Sequence, residues 1–217
     1  MNETNFTILL ITTEVIFSLI VLFFLKKAGA KNSTVIISFA IMGLWLYSVY
    51  NLITSEFFSS TAIPQLTFTI GVFLPVAIIL VLKTLSQDLK KTISNMSTSD
   101  FLNLQQYRVA FGVLFFFTGV LPTWFQYLGG LGDIAAGIGA ITILRMFKNK
   151  KIDEFNAIIK GNIIGILDFV VVLNIGAIVV LAKESPDVVF NMIPLYVVPI
   201  FIAIHIFSLS RLKSLKK

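Results

Sequence analysis

The sequence predicts an all-α integral membrane protein of seven transmembrane helices, with the amino terminus outside and the carboxyl terminus cytoplasmic. Three observations carry that prediction. Apolar residues make up 57% of the 217-residue chain and charged residues only 13%, with a mean hydropathy of +0.93, far from the balance of a soluble domain. Nearly uncharged runs recur at about the 20-residue length that a helix needs to cross the hydrocarbon core. Every Lys and Arg except Lys183 lies in or beside alternate connectors or in the carboxyl-terminal tail.

The runs are 6–25, 34–53, 63–82, 107–121, 129–146, 161–181 and 192–212, forming one polytopic membrane domain over 1–217. The first is followed by Lys26, Lys27 and Lys31, an order opposite to that of a cleavable signal peptide. The third opens at Ile63-Pro64 and ends at Lys83. Beyond it the chain continues as helix, meets the polar cluster 95–99, and restarts with Ser99 or Asp100 as N-cap of a short interfacial helix, FLNLQQ. The fourth and fifth runs are joined by PTWFQYLGG, where Pro122 and two glycines supply the turn. After the fifth run, Ile152, Phe155, Ile158 and Ile159 form an apolar stripe suited to lying on the membrane surface. Basic residues collect on the cytoplasmic side of short loops, and only an odd number of spans puts these connectors and the tail on that side.

The net charge of +6 is then a topology signal and not a nucleic-acid footprint. Expected partners are membrane lipid and a small-molecule substrate or proton. The absence of cysteine excludes disulfides and thiolate chemistry, and a single histidine excludes a histidine-based metal site. No catalytic, cofactor or metal motif stands in its proper context. Gly130, Gly132 and Ala135 match the spacing G-x-G-x-x-A, but without the strand that a dinucleotide site requires. Their stretch reads as helix packing: Gly132, Ala136 and Ala140 form one small-residue ridge, and Gly129 and Gly137 another, with Asp133 between them.

Function must therefore come from polar residues inside the spans: Glu14, Asn51, Gln65, Arg108, Asp133, Asp168, Asn174 and His205. At ~1.5 Å per residue from the nearest basic end, Glu14 and Asp133 both lie ~18 Å deep, Asp168 ~12 Å and His205 ~9 Å. This depth count predicts that Asp133 packs against the first span and shares a proton with Glu14. It also predicts that Arg108 either snorkels to the cytoplasmic surface or pairs with Asp168. Trp45, Tyr47, Tyr50, Trp124 and Tyr127 read as an aromatic belt at the outer interface.

Spans one to three and five to seven start on the same side, and both third members begin with Ile-Pro, at Ile63-Pro64 and Ile193-Pro194. This order of three, one and three spans, with the dipeptide Pro64-Gln65, resembles the sugar-transporter and PQ-loop families, although Pro194 is followed by Leu195. The resemblance implies a parallel repeat with a site between its halves. Together with intramembrane acids and prolines at 75, 194 and 199, it favours a small-molecule transporter or ion-coupled carrier. A receptor or assembly subunit acting through a partner is the alternative. A lipid-modifying enzyme is further off, because no cluster of carboxylates or nucleophile motif is present.

Overall fold

The computed structural model describes residues 2–119, 121–172 and 187–215, and the regular structure among them is entirely helical. In chain order it comprises α1 (Glu3–Lys27), α2 (Asn32–Thr54), α3 (Phe57–Ser60), α4 (Pro64–Leu85), α5 (Gln87–Asn95), α6 (Thr98–Gln105), α7 (Arg108–Leu114), α8 (Thr123–Lys148) and α9 (Glu154–Val171). A composite last helix follows: a 3-10 turn at Val189–Asn191, a π-helical turn at Ile193–Val197, then α10 (Val198–Ser210). Five of these are long and apolar enough to cross a membrane, namely α1, α2, α4, α8 and the composite helix. Within the expected fourth span the α-helix is the seven-residue α7, which ends at Leu114 and passes into tight turns closed by the Phe116 and Phe117 N–H groups before Pro122 caps α8. The sixth run is described only as far as Val172, and Asn174 lies outside the described residues.

The surface is that of a protein solvated by lipid. Ile37 is 58% exposed, Leu44 67% and Leu167 60%, while Arg108 and Glu14 are fully buried. Trp124, Tyr47 and Tyr127 are exposed as an interfacial belt requires, whereas Trp45 turns inward onto Tyr196, with ring centroids 5.0 Å apart.

At the centre lies the composite last helix, packed on α4, α6 and α9. Its Phe201 meets Phe17 of α1 at 4.7 Å and Phe111 of α7 at 6.0 Å between ring centroids. The two Ile-Pro pairs therefore occupy unlike places, since α4 starts as regular helix and stays largely exposed, whereas Ile193-Pro194 opens the π-helical turn in the core.

Helix α8 is held between α7 and α9, and its small residues permit this. A Cβ on Gly112 would fall 2.6 Å from the Gly130 carbonyl oxygen, and one on Gly137 would fall 2.8 Å from the Val109 backbone nitrogen. The face bearing Asp133 thus packs on α7, not on α1, as the depth count had it.

Ion pairs and caps tie the basic connectors together at one end. Lys27 Nζ is 2.6 Å from Asp100 Oδ1, and Arg211 Nη2 is 2.9 Å from Glu154 Oε1. Asp88 accepts from the Lys31 N–H at 3.1 Å and the Thr34 hydroxyl at 2.6 Å, capping α2 from the first turn of α5. The cap of α6 is Ser97, two residues before the expected Ser99, because Ser97 and Asp100 complete a capping box. The 148–160 stretch does not form a separate surface helix: Asp153 caps α9 directly, and Ala157 and Ile158 are buried in the bundle. At the opposite end Phe6, Phe115, Phe125 and Phe190 form an aromatic plug with centroid spacings of 4.7–6.3 Å. Asp187 accepts from the N–H groups of Phe58 and Ser59 there, capping α3.

Burial acts to raise the pKa of Asp100, but hydrogen bonds from Lys27 and Ser97 outweigh it and hold the carboxyl below its ordinary range. A hydrogen bond from Thr98, opposed by burial and aided by Arg211, does the same for Glu154. Depressed folded-state values stabilise above the unfolded pKa of about 4 and lose that contribution as pH falls through it. The melting temperature in detergent should therefore drop between about pH 5 and pH 3, and Glu154→Gln should flatten part of that drop. A melting temperature independent of pH over this window would show that these contacts contribute nothing.

Candidate intramembrane ion cluster

The side chain around which the polar residues gather is Arg108, at the first position of α7. Its Nε donates to Asp133 Oδ1 of α8 at 2.7 Å, and its Nη2 lies 2.7 Å from the same oxygen. Nη2 also donates to Asp168 Oδ2 of α9, and Nη1 to the Gly165 carbonyl oxygen at 3.0 Å. The guanidinium carbon sits 3.9 Å from the Phe169 ring centroid, so the flat face of the ion is covered as well. Snorkelling is overturned. Three helices surround the ion closely enough that its donors are met inside the bundle.

Local sequence makes this approach possible. A side chain on Gly132 would overlap Asp168 Oδ1, and one on Gly165 would come within 2.9 Å of Arg108 Nη1 and 2.6 Å of His205 Nε2. Glycine is required at both positions by space, with no special backbone angle involved.

His205 adjoins the cluster from α10. Asn162 donates through Nδ2 to the Ile158 carbonyl at 2.7 Å and to Ser208 Oγ at 2.9 Å, so its Oδ1 is the acceptor facing His205 Nδ1 at 2.8 Å. Nδ1 therefore carries the proton and the unpartnered Nε2 holds the lone pair. Asn162, Gly165 and Asp168 recur every three residues on one face of α9. That spacing was readable from the sequence and marks Asn162 as part of the site.

Glu14 lies elsewhere. It is fully buried on α1, and neither carboxyl oxygen has a hydrogen-bond partner among the described residues. Its nearest polar neighbours are Ser18, which donates to the Glu14 carbonyl at 2.7 Å, and Tyr196, 2.6 Å from that hydroxyl. A Glu14–Asp133 pair sharing a proton is not formed, because Asp133 is engaged by Arg108. Asn51 is exposed and bonds the Tyr47 carbonyl of its own helix at 2.8 Å. Gln65 stands in the first turn of α4, and no contact joins its side chain to the cluster. Among the described residues no group of three His, Asp or Glu side chains is arranged to hold a metal ion.

Between Asp133 and Asp168 and the aromatic plug lies a void of about 20 Å³, bordered by Phe115, Phe125 and Phe190 and by the π-helical turn at Ile193 and Pro194. This is room for about one water molecule. Among the described residues the cluster thus holds two acids for one guanidinium, a ratio that a proton on one of the acids, or another cation, would balance.

Residues 63–213 match the model of a family described as a domain of unknown function (DUF8737). The chain belongs to this family. No curated protein and no solved structure matches it. The matched segment begins at α4 and includes Arg108, Asp133, Asp168, Asn162 and His205, whereas α1 with Glu14 lies before it.

Removing one partner of a buried ion pair costs about 3–5 kcal/mol, because it strands the opposite charge. Arg108→Ala should lower stability by that amount, read as loss of monodisperse protein and of melting temperature. Adding Asp133→Asn and Asp168→Asn to Arg108→Ala should restore part of the loss. A triple variant whose loss equals the sum of its single losses would rule out a coupled cluster.

Proposed function

We propose that the protein is a proton-coupled carrier of a small molecule in the cell membrane, with the Arg108–Asp133–Asp168 cluster as its proton site. The observation that carries this reading is one buried guanidinium shared by two carboxyl groups beside a water-sized void. A cluster built only to hold helices together would need no second acid. The composite last helix supports the reading, because a π-helical turn bounded by Pro194 and Pro199 borders the void at the place where a moving segment would expose the aspartates. In the state described, the phenylalanine plug separates the cluster from the end opposite the lysines. Displacing Phe115 and Phe190 would open it from that side.

The reading includes seven membrane segments, with α7 and α9 belonging to the fourth and sixth, the amino terminus outside and the carboxyl terminus in the cytoplasm. The ion pairs that gather the α1–α2, α5–α6 and α8–α9 connectors with Arg211 at one end support this count, since the chain must cross an even number of times between successive connectors at that end and α1 adds one more. A carboxyl-terminal fluorescent fusion should glow in the cytoplasm while an amino-terminal tag is labelled from outside. Both tags on one side would remove the seven-segment reading.

The carrier activity is tested in liposomes loaded with a pH-sensitive dye and presented with a panel of sugars, amino acids, organic acids and organic cations. At least one solute should drive a change of internal pH, and Asp133→Asn or Asp168→Asn should lower its rate at least tenfold while the protein stays monodisperse. No proton movement with any solute of the panel, or full rates in both variants, would overturn the proposal.

A further inference from the structure

A second cavity lies away from the ion cluster. It measures about 140 Å³ and is framed by α2 and α4, floored by α5 at the lysine-rich end and backed by α10. Helix α2 packs on α1 and α4 packs on α10, but α2 and α4 make almost no direct contact with each other. The space between them opens sideways to the surrounding lipid. Ile41 marks the opening, since it lines the cavity and is also 40% exposed.

The walls are almost entirely apolar, with the Ser38 hydroxyl and the Trp45 indole N–H as the side-chain polar groups. Ser38 makes no hydrogen bond with any other described residue. A cavity of about 150 Å³ with such walls holds a benzene-sized guest, so this one takes a stretch of hydrocarbon chain of about six carbons. Thr34, bonded to Asp88, fixes the level of the basic end. Ser38 is one helical turn above it, ~6 Å in, with Met42 and Trp45 further up the same face.

Two cations stand at the basic end beside the cavity. Lys83 Nζ lies 4.5 Å from the ring centroid of Phe207, a cavity residue, and Lys90 follows Leu89, another cavity residue, on α5. Among the described residues no carboxylate lies within ion-pair distance of either. Helix α5 shapes the mouth, turning Leu89 and Ile93 to the cavity while Lys90 and Lys91 stay exposed. The order from the basic end inward is thus unpaired cations, one free hydroxyl, then a dry channel. This is the order of charge, ester and chain in a phospholipid.

We propose that the cavity between α2 and α4 binds an anionic phospholipid, with its phosphate on Lys83 and Lys90, an ester oxygen at the Ser38 hydroxyl and the first carbons of an acyl chain against Met42 and Trp45. The site is independent of the proton cluster and of any transport activity.

Trp45 serves as the reporter, because the chain has only one other tryptophan, the exposed Trp124. The full chain carrying Trp124→Phe is placed in phosphatidylcholine vesicles containing rising fractions of phosphatidylglycerol or phosphatidylcholine with dibrominated chains, and quenching of Trp45 is followed. Phosphatidylglycerol should reach half-quenching at a mole fraction at least fivefold lower than phosphatidylcholine, about the effect of one lysine–phosphate contact. Lys83→Gln should remove most of that preference. Ser38→Phe, which fills the mouth from a position that is only half-buried, should abolish the high-affinity quenching altogether. Equal quenching by the two lipids would overturn the proposal. So would a phosphatidylglycerol preference that survives Ser38→Phe, since it would then come from lipid ringing the bundle and drawn by surface charge. Should Ser38→Phe fail to fold, Lys83→Gln decides the matter, with an unchanged preference counting against the site.

Discussion

The bundle depends on how one guanidinium is satisfied where no water can reach it. Arg108 has five N–H donors in a fixed plane, and placing them in the core is tolerable only if acceptors meet them there. Two carboxylates and a carbonyl do so, one from α8, which packs closely on α7, and two from α9, which packs on α8 within reach of the Arg108 side chain. The glycines at 112, 132, 137 and 165 follow from this requirement. They do not mark a generic packing motif, for each stands where a Cβ would strike α7, α8, α9 or the ion cluster. The short length of α7 follows as well: the chain has to deliver Arg108 to the middle of the bundle at the start of a helix, then turn back at Pro122 into α8.

Much of the fold was legible because lipid imposes simple rules. Apolar runs located α1, α2, α4, α8 and the last helix, and the one-sided lysines anticipated which connectors meet at one end. The run at 107–121 holds only the short α7, because hydropathy reports what lipid accepts, not whether the backbone stays helical. Ser97 was passed over as a cap because Ser99 and Asp100 offer the same chemistry two and three residues on, and only the reciprocal bond with Asp100 decides among them. The stripe at 152–159 was real, but its buried side faces other helices, not a membrane surface.

The candidate site was legible in its members and not in its pairing. Counting residues from the basic ends places Asp133 level with Glu14, yet depth says nothing about direction around a helix axis. The small residues flanking Asp133 fixed that direction, and they point to whichever neighbour presents glycine in return. That neighbour is α7, through Gly112, whereas α1 presents Phe17 and Leu10, which are too large for such an approach. Asn162 went unread although it is spaced by threes with Gly165 and Asp168, because that spacing does not name its partner, His205.

The number of acids in the cluster bears on its purpose. Hydrogen-bond saturation alone asks for oxygen acceptors around Arg108, and an asparagine at 133 or 168 would supply one of the same size without adding charge. Charge neutrality asks for one carboxylate. A second acid meets neither need better than an amide would, and it carries the cost of a surplus negative charge in a medium that screens it poorly. What a second acid adds is a group that can hold and release a proton beside a void large enough for one water. In the carrier reading proposed above, that cost is offset because the second acid can exchange a proton where the π-helical turn and the phenylalanines border the void.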